Sequence, residues 1–237
     1  SCQVNAHTWQ EAVYGQNQFM NRTLESDKEL LKLRYARSIP KLDLQLKERL
    51  TKEGWTKLKE PGSLPLAVLI SIPFMLVNGL IFLLLIYLLK PAIFNFGEIQ
   101  PSIIITINLQ SILYLLGAVL FFALHELFHA LFVPNWKNSD QTFFGVTSMG
   151  LFIYTAERIT RKTFIIISVM PYICLSLLTP ILFSVVGWLN PYTIFLCLIN
   201  ALASSVDMLN LYLVLKQVPE NSLIQLNGPE TYYLRSA

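Results

Sequence analysis

Five residues near the middle of the chain carry the clearest chemical signal: His125-Glu126-Leu127-Phe128-His129. On a helix, residues four apart point nearly the same way, so both imidazoles can grip one metal ion. Zinc suits such a pair and lowers the pKa of a water it carries towards neutrality. Glu126, beside the imidazoles, is placed to take a proton from that water and later to pass one to a leaving amine. The chain holds three His and 11 Glu in 237 residues, and that composition yields HExxH by chance about once in 600 chains. The five residues also fall in an apolar run, where ionisable groups are costly and mark function by default. The plainer alternative is two neutral packing histidines and a glutamate among headgroups.

Zinc needs a third protein ligand and leaves a fourth position for water. Asp207 is the sole acid of the last apolar run. His125 to Pro134 and Asp207 to Lys216 are both nine residues, which puts both groups roughly 13 Å inside the same end of their helices. A buried, unpaired carboxylate is expensive, and a metal removes the cost. Glu157 is the reserve ligand, although neighbouring Arg158 suggests a surface salt bridge; His7, in the polar leading segment, is a further alternative. Asn200 lies seven residues before Asp207, about two turns away on one face. It is expected to hold a substrate backbone through paired amide hydrogen bonds, with ordinary interhelical bonding as the alternative.

The elements that must position these groups follow from composition. The chain is 54% hydrophobic and only 14% charged, against about 25% charged in a soluble domain. That excludes a disordered chain and points to a membrane protein. The net charge of +3 is too small an excess to suggest nucleic-acid binding. Apolar runs over about 64–89, 102–133, 163–189 and 192–215 each suffice for a span. The second is long enough to tilt or project, and Pro171 predicts a kink in the third. Residues 142–155 are apolar, rich in β-branched and aromatic residues, and punctuated by Gly145 and Gly150. They read as one or two short strands near the membrane surface, with an amphipathic loop as the competing reading.

The predicted fold is an all-α polytopic membrane protein. It has about four transmembrane helices, a short membrane-associated β-hairpin or loop and an N-terminal cytosolic helical segment. Residues 23–39 have helical spacing, as do 40–54, where Gly54 would stop the helix; alternation of Leu42, Leu44 and Leu46 makes a strand the rival there. Pro61-Gly62 marks a boundary. The division is a cytosolic segment 1–61, a membrane core 62–216 and a cytosolic tail 217–237. The leading segment through Pro61 carries 11 of the 18 Lys and Arg, and the loop 134–162 carries Lys137, Arg158, Arg161 and Lys162. The positive-inside rule therefore puts both termini and that loop in the cytosol. The first sixty residues are polar, so the spans are expected to act as their own targeting signals. Cys2, Cys174 and Cys197 have no metal-ligand spacing and read as buried or unpaired thiols.

An HExxH within one span and an aspartate in a later one resemble the intramembrane metalloproteases of the site-2 protease type. The closer resemblance is to the zincin-type bacterial membrane peptidases called DUF3267, in Gly54-Trp55…Lys59-Glu60-Pro61, Ser71-Ile72-Pro73-Phe74 and Asn200…Asp207. The resemblance implies that His125, His129 and Asp207 bind Zn2+, that Glu126 is general base and acid, and that residues 142–155 match the hairpin after the HExxH helix. It also implies a place in the bacterial cell membrane. The late span departs from the site-2 pattern: it lacks the proline, and Met208 stands where glycine is usual. The expected function is a zinc-dependent endopeptidase, intramembrane or membrane-proximal, in which Glu126 assists attack of zinc-bound water on a peptide bond near the cytosolic face. Its expected partners are the bilayer and a membrane protein or peptide substrate. The alternative is a non-catalytic binding or regulatory module with a structural metal or none.

Overall fold

The structure, a computed structural model, describes residues 34–95, 108–147 and 150–235. Four helical stretches are long and apolar enough to cross a membrane: Leu64–Leu89, Leu109–Leu131, Arg161–Val185 and Pro191–Gln217. Their starts are written in the sequence. Ser63 caps the first, α2 (Leu64–Leu89), by accepting from the Leu66 amide. Asn108 and Ser111 form a reciprocal capping box at α3 (Leu109–Leu131), and Asn190 with Thr193 does the same at the fourth span. Leu113, Leu116, Val119 and Leu120 of α3 stand exposed, as do Leu80, Leu84 and Leu88 of α2. Apolar surface this continuous needs an apolar surround, consistent with a membrane protein.

The third and fourth spans are interrupted. The third runs as α4 (Arg161–Pro171), a widened π-helical turn (Tyr172–Leu178) and α5 (Thr179–Val185). The irregularity follows Pro171, which has no amide hydrogen to donate. The fourth is α6 (Pro191–Ala203) and α7 (Ser205–Gln217), broken at Ser204, whose ψ is 3°. Ser204 Oγ bonds back to the Asn200 carbonyl at 2.9 Å, a contact that bends helices. The core joins Phe82 and Ile86 of α2 to Phe121 of α3, Tyr172 and Leu175 of the π turn, and Leu196, Cys197 and Ala201 of α6. Polar ties cross it: Asn78 Nδ2 donates to the Ala201 carbonyl at 3.1 Å, and the Ser71 and Ser205 hydroxyls meet at 3.1 Å.

The expectation of an all-α chain needs correction, because two small sheets accompany the helices. In the first, β3 (Thr142–Thr147) and β4 (Gly150–Thr155) form the expected antiparallel hairpin, and β1 (Arg34–Ala36) adds in parallel to β3. Gly145 is required there, since a Cβ on it would lie 2.0 Å from the Ala36 carbonyl oxygen and 2.6 Å from the Phe152 ring. Residues 34–36 are thus strand, where helix was expected over 23–39; the earlier part of that range lies outside the described residues. Residues 44–52 are helix (α1), capped by the Asp43 side chain and followed by Gly54 at φ +81°.

The second sheet has the order β2 (Thr56–Lys57), β7 (Glu230–Arg235), β6 (Ser222–Asn227), β5 (Ile159–Thr160). The segment expected to be a plain C-terminal tail is therefore a hairpin. It turns at Gly228-Pro229 between the paired Asn227 and Glu230. The sheet draws strands from before the first span, between the second and third, and after the fourth, so these three regions share one end of the bundle. Behind it, Leu58, Ile159, Val214, Val218 and Ile224 form a second core, and Leu50, Trp55 and Tyr232 a third.

Candidate metal centre

His125 and His129 lie on the last two turns of α3, one turn apart, with ring centroids 4.9 Å from each other. Asp207 reaches them from the first turn of α7, just past the break at Ser204. His125 Nε2 is 3.4 Å from Asp207 Oδ2, and His129 Nε2 is 3.6 Å from Asp207 Oδ1. One ligand atom from each of the three lies within 4.8 Å of the others, and these three residues form a group able to hold a metal ion. His125 is 8% exposed. The helix break matters here, because it lets one segment supply both Asn200 and Asp207 to opposite sides of a single imidazole.

The hydrogen-bond network places a hydrogen on Nδ1 of each histidine. Asn200 Nδ2 donates to the Pro171 carbonyl at 3.3 Å and to Ser176 Oγ at 2.8 Å, and that hydroxyl is committed to the Cys197 carbonyl at 3.1 Å. A carbonyl only accepts, so Asn200 Nδ2 is the amide nitrogen and Oδ1 faces His125. His125 Nδ1–H therefore donates to Asn200 Oδ1, at 2.8 Å. His129 Nδ1–H likewise donates to the Ile167 carbonyl of α4, at 2.9 Å. In its neutral form each imidazole then turns an Nε2 lone pair towards the Asp207 oxygens. In that form lone pairs face lone pairs across 3.4 and 3.6 Å, an arrangement suited to a metal ion. Two imidazoles and a carboxylate are a zinc donor set, and an acceptor behind each histidine's other nitrogen is the usual support of a metal ligand.

Glu126 projects from the same turn of α3 towards the hairpin, where its Oε2 accepts from the Ile153 amide of β4 at 3.2 Å. Among the described residues β4 is an edge strand of its sheet. The other candidates fall elsewhere. Asn200 was expected either at a substrate backbone or in interhelical bonding; its side chain is fully buried and its carboxamide bonds His125, Pro171 and Ser176, which is the interhelical arrangement. Glu157 accepts from Ser139 Oγ at 2.6 Å and does not join the cluster, while Arg158 bonds Glu53 across the surface at 3.0 Å. His7 and Cys2 lie outside the described residues; Cys174 and Cys197 are free thiols. Sequence reasoning missed Ile167, whose contribution is a backbone carbonyl and leaves no mark on residue type. It also missed Ser176, a lone hydroxyl in an apolar run.

The site lies within a stretch that resembles a known family. The family model of DUF3267, described as "Putative zincin peptidase", matches residues 118–223. The match takes in His125, Glu126, His129 and Asp207, and it bears out over that stretch the resemblance drawn from the motif. No curated protein and no solved structure matches the chain.

Proposed function

We propose that this protein is a zinc-dependent endopeptidase, related to the site-2 proteases, that cuts a membrane-embedded or membrane-proximal peptide near the cytosolic face. One observation carries the reading: two imidazole lone pairs and a carboxylate converge at one point, with Glu126 on the adjacent helical turn. His125, His129 and Asp207 would hold the zinc, which when bound supplies a Lewis acid for the scissile carbonyl and a water of lowered pKa. Asn200 and the Ile167 carbonyl fix the two rings, so the ligand geometry is set before metal arrives. Glu126 receives the proton of the attacking water on a carboxylate oxygen. It then delivers a proton to the amide nitrogen as the C–N bond breaks, releasing carboxylate and amine. Its contact with Ile153 brings the β4 edge beside this base, and an extended substrate pairing with that edge would lay its backbone along the site.

The second reading, a non-catalytic membrane module with a structural metal, draws on the same contact, since the Glu126–Ile153 bond also pins the hairpin to α3. Glu126→Gln separates the two. The amide oxygen of Gln still accepts from Ile153 but cannot shuttle a proton. The purified chain, reconstituted with zinc and a library of single-span peptides, should release cleavage products by mass spectrometry, and the E126Q protein should not. Equal cleavage by both would defeat the peptidase reading.

A further inference from the structure

A second site sits away from the metal centre, where the third span begins. Residues 160–162 and 220–223 line a cavity of about 640 Å³. It lies at the start of the Arg161–Val185 span and just beyond the end of the Pro191–Gln217 span. Among the described residues, two buried side-chain polar atoms lack a hydrogen-bond partner, Arg161 Nε and Ser222 Oγ, and both belong to residues lining this cavity. Ser222 is 1% exposed. A buried donor left without an acceptor is costly, and native structures seldom keep one without a reason. The rest of Arg161 is held in place: Nη2 donates to the Leu215 carbonyl at 3.3 Å, and Nη1 is 4.0 Å from Glu220 Oε1. Its terminal nitrogens are thereby engaged, and its buried Nε–H is left uncommitted.

The surrounding charge has one dominant sign. Arg161 and Lys162 are the first two residues of α4, and Thr160 Oγ1 caps the helix by accepting from the Thr163 amide at 3.1 Å. The positive end of the helix dipole therefore adds to two cationic side chains. Among the described residues Glu220 is the only acid lining the cavity, and its side chain is 90% exposed, free to turn into solvent. A ligand for this place is an acceptor with several oxygens and a negative charge.

We propose that this cavity binds a phosphate group, presented by an anionic phospholipid headgroup or by free phosphate. The Arg161 Nε–H and the Ser222 hydroxyl donate to its oxygens, and Lys162 with the α4 terminus neutralises its charge. The cavity is far larger than a phosphate, which leaves room for the glycerol of a headgroup, and it stands at the level where two spans end. The proposal is independent of the peptidase reading and survives its failure.

The test uses the full chain, zinc-loaded, in vesicles of phosphatidylcholine with or without phosphatidylglycerol. Native mass spectrometry after mild extraction reads retained lipid, and a thermal unfolding series with inorganic phosphate reads the free anion. Wild type should keep phosphatidylglycerol in preference to phosphatidylcholine, with retention falling about tenfold in the Arg161→Gln/Lys162→Gln protein. Glu220→Gln, at an exposed position, should raise retention about threefold. Lipid selectivity without a phosphate effect identifies the headgroup as the source. Phosphate stabilisation of wild type alone, without lipid selectivity, identifies the free anion. If the double variant fails to fold, K162Q and E220Q alter exposed side chains and should still move binding in opposite directions. Equal lipid retention and equal phosphate response in wild type, K162Q and E220Q would overturn the proposal.

Discussion

Asp207 in α7 and Glu230 in β7 are both carboxylates surrounded by nitrogen- or oxygen-bearing side chains, and their neighbours treat them in opposite ways. Glu230 meets donors. Lys57 Nζ lies 2.6 Å from Oε1, Lys47 Nζ lies 3.4 Å away, and the Tyr232 hydroxyl donates to Oε2. The Lys57 hydrogen bond, followed by that of Tyr232, holds the Glu230 carboxyl down at about 2. Asp207 meets two imidazoles whose Nδ1 hydrogens are spent on Asn200 and Ile167, so with neutral rings it faces acceptors. The first carboxylate is complete as it stands and holds a sheet together. The second belongs to a group of three side chains that could hold a metal ion. Count and proximity of partners do not distinguish a structural carboxylate from a ligand; the direction of the hydrogens does.

That contrast can be broken most severely at the ligands. His125→Ala or Asp207→Ala should drop zinc from near one per chain to below about 0.1 by elemental mass spectrometry, while Glu230→Gln should leave it unchanged. Zinc retained in the Asp207 variant would end the comparison. Next in size, Glu126→Gln should keep its metal yet lower peptide cleavage by about 10²–10⁴-fold. Replacing Asn200 with Leu removes the acceptor behind His125 and should weaken zinc binding about 10–100-fold in a chelator competition, without abolishing it.

The smallest effect belongs to the sheet. Glu230→Gln should cost about 1–3 kcal/mol of stability in denaturant unfolding. Its pH dependence has a definite sign. A carboxyl held at about 2 when folded and near 4.3 when unfolded contributes stability above the unfolded value. That contribution is lost as pH falls towards 2. Burial pushes the nearby Glu60 carboxyl up, so it works the other way, costing stability at neutral pH and regaining it on acidification. Wild type should lose stability below about pH 4.5 by the Glu230 contribution, and the E230Q protein should show a flatter acid limb.

Much of this was legible in the sequence because the physics involved is local. Helical period puts His125 and His129 on one face, apolar length marks four spans, and Ser63, Asn108 and Asn190 announce helix starts. Asp207 stood out as the sole acid in its run, which needs no knowledge of the fold. What escaped depended on long-range pairing. Tyr35 has helical neighbours in sequence but lies in a strand beside β3, where tertiary pairing overrides local period. Residues 222–235 alternate around Asn227-Gly228-Pro229, a hairpin signal that was readable yet passed over as a tail. Asn200 shows the deeper limit. Its position was noticed, but its use depends on Pro171 and Ser176, which come close only through the π turn.

The four-stranded sheet also imposes an order on biogenesis. Lys57 and Glu230 are 173 positions apart in sequence. β2 therefore emerges from the ribosome long before β7, the neighbour it pairs with, exists. Until Glu230–Arg235 has been translated, Thr56–Lys57 has no sheet to join, and the cap over Trp55 lacks Tyr232. All four spans can be threaded into a bilayer in that interval. The molecule thus separates insertion from closure, and the ends of its spans are locked together only once β7 has been made.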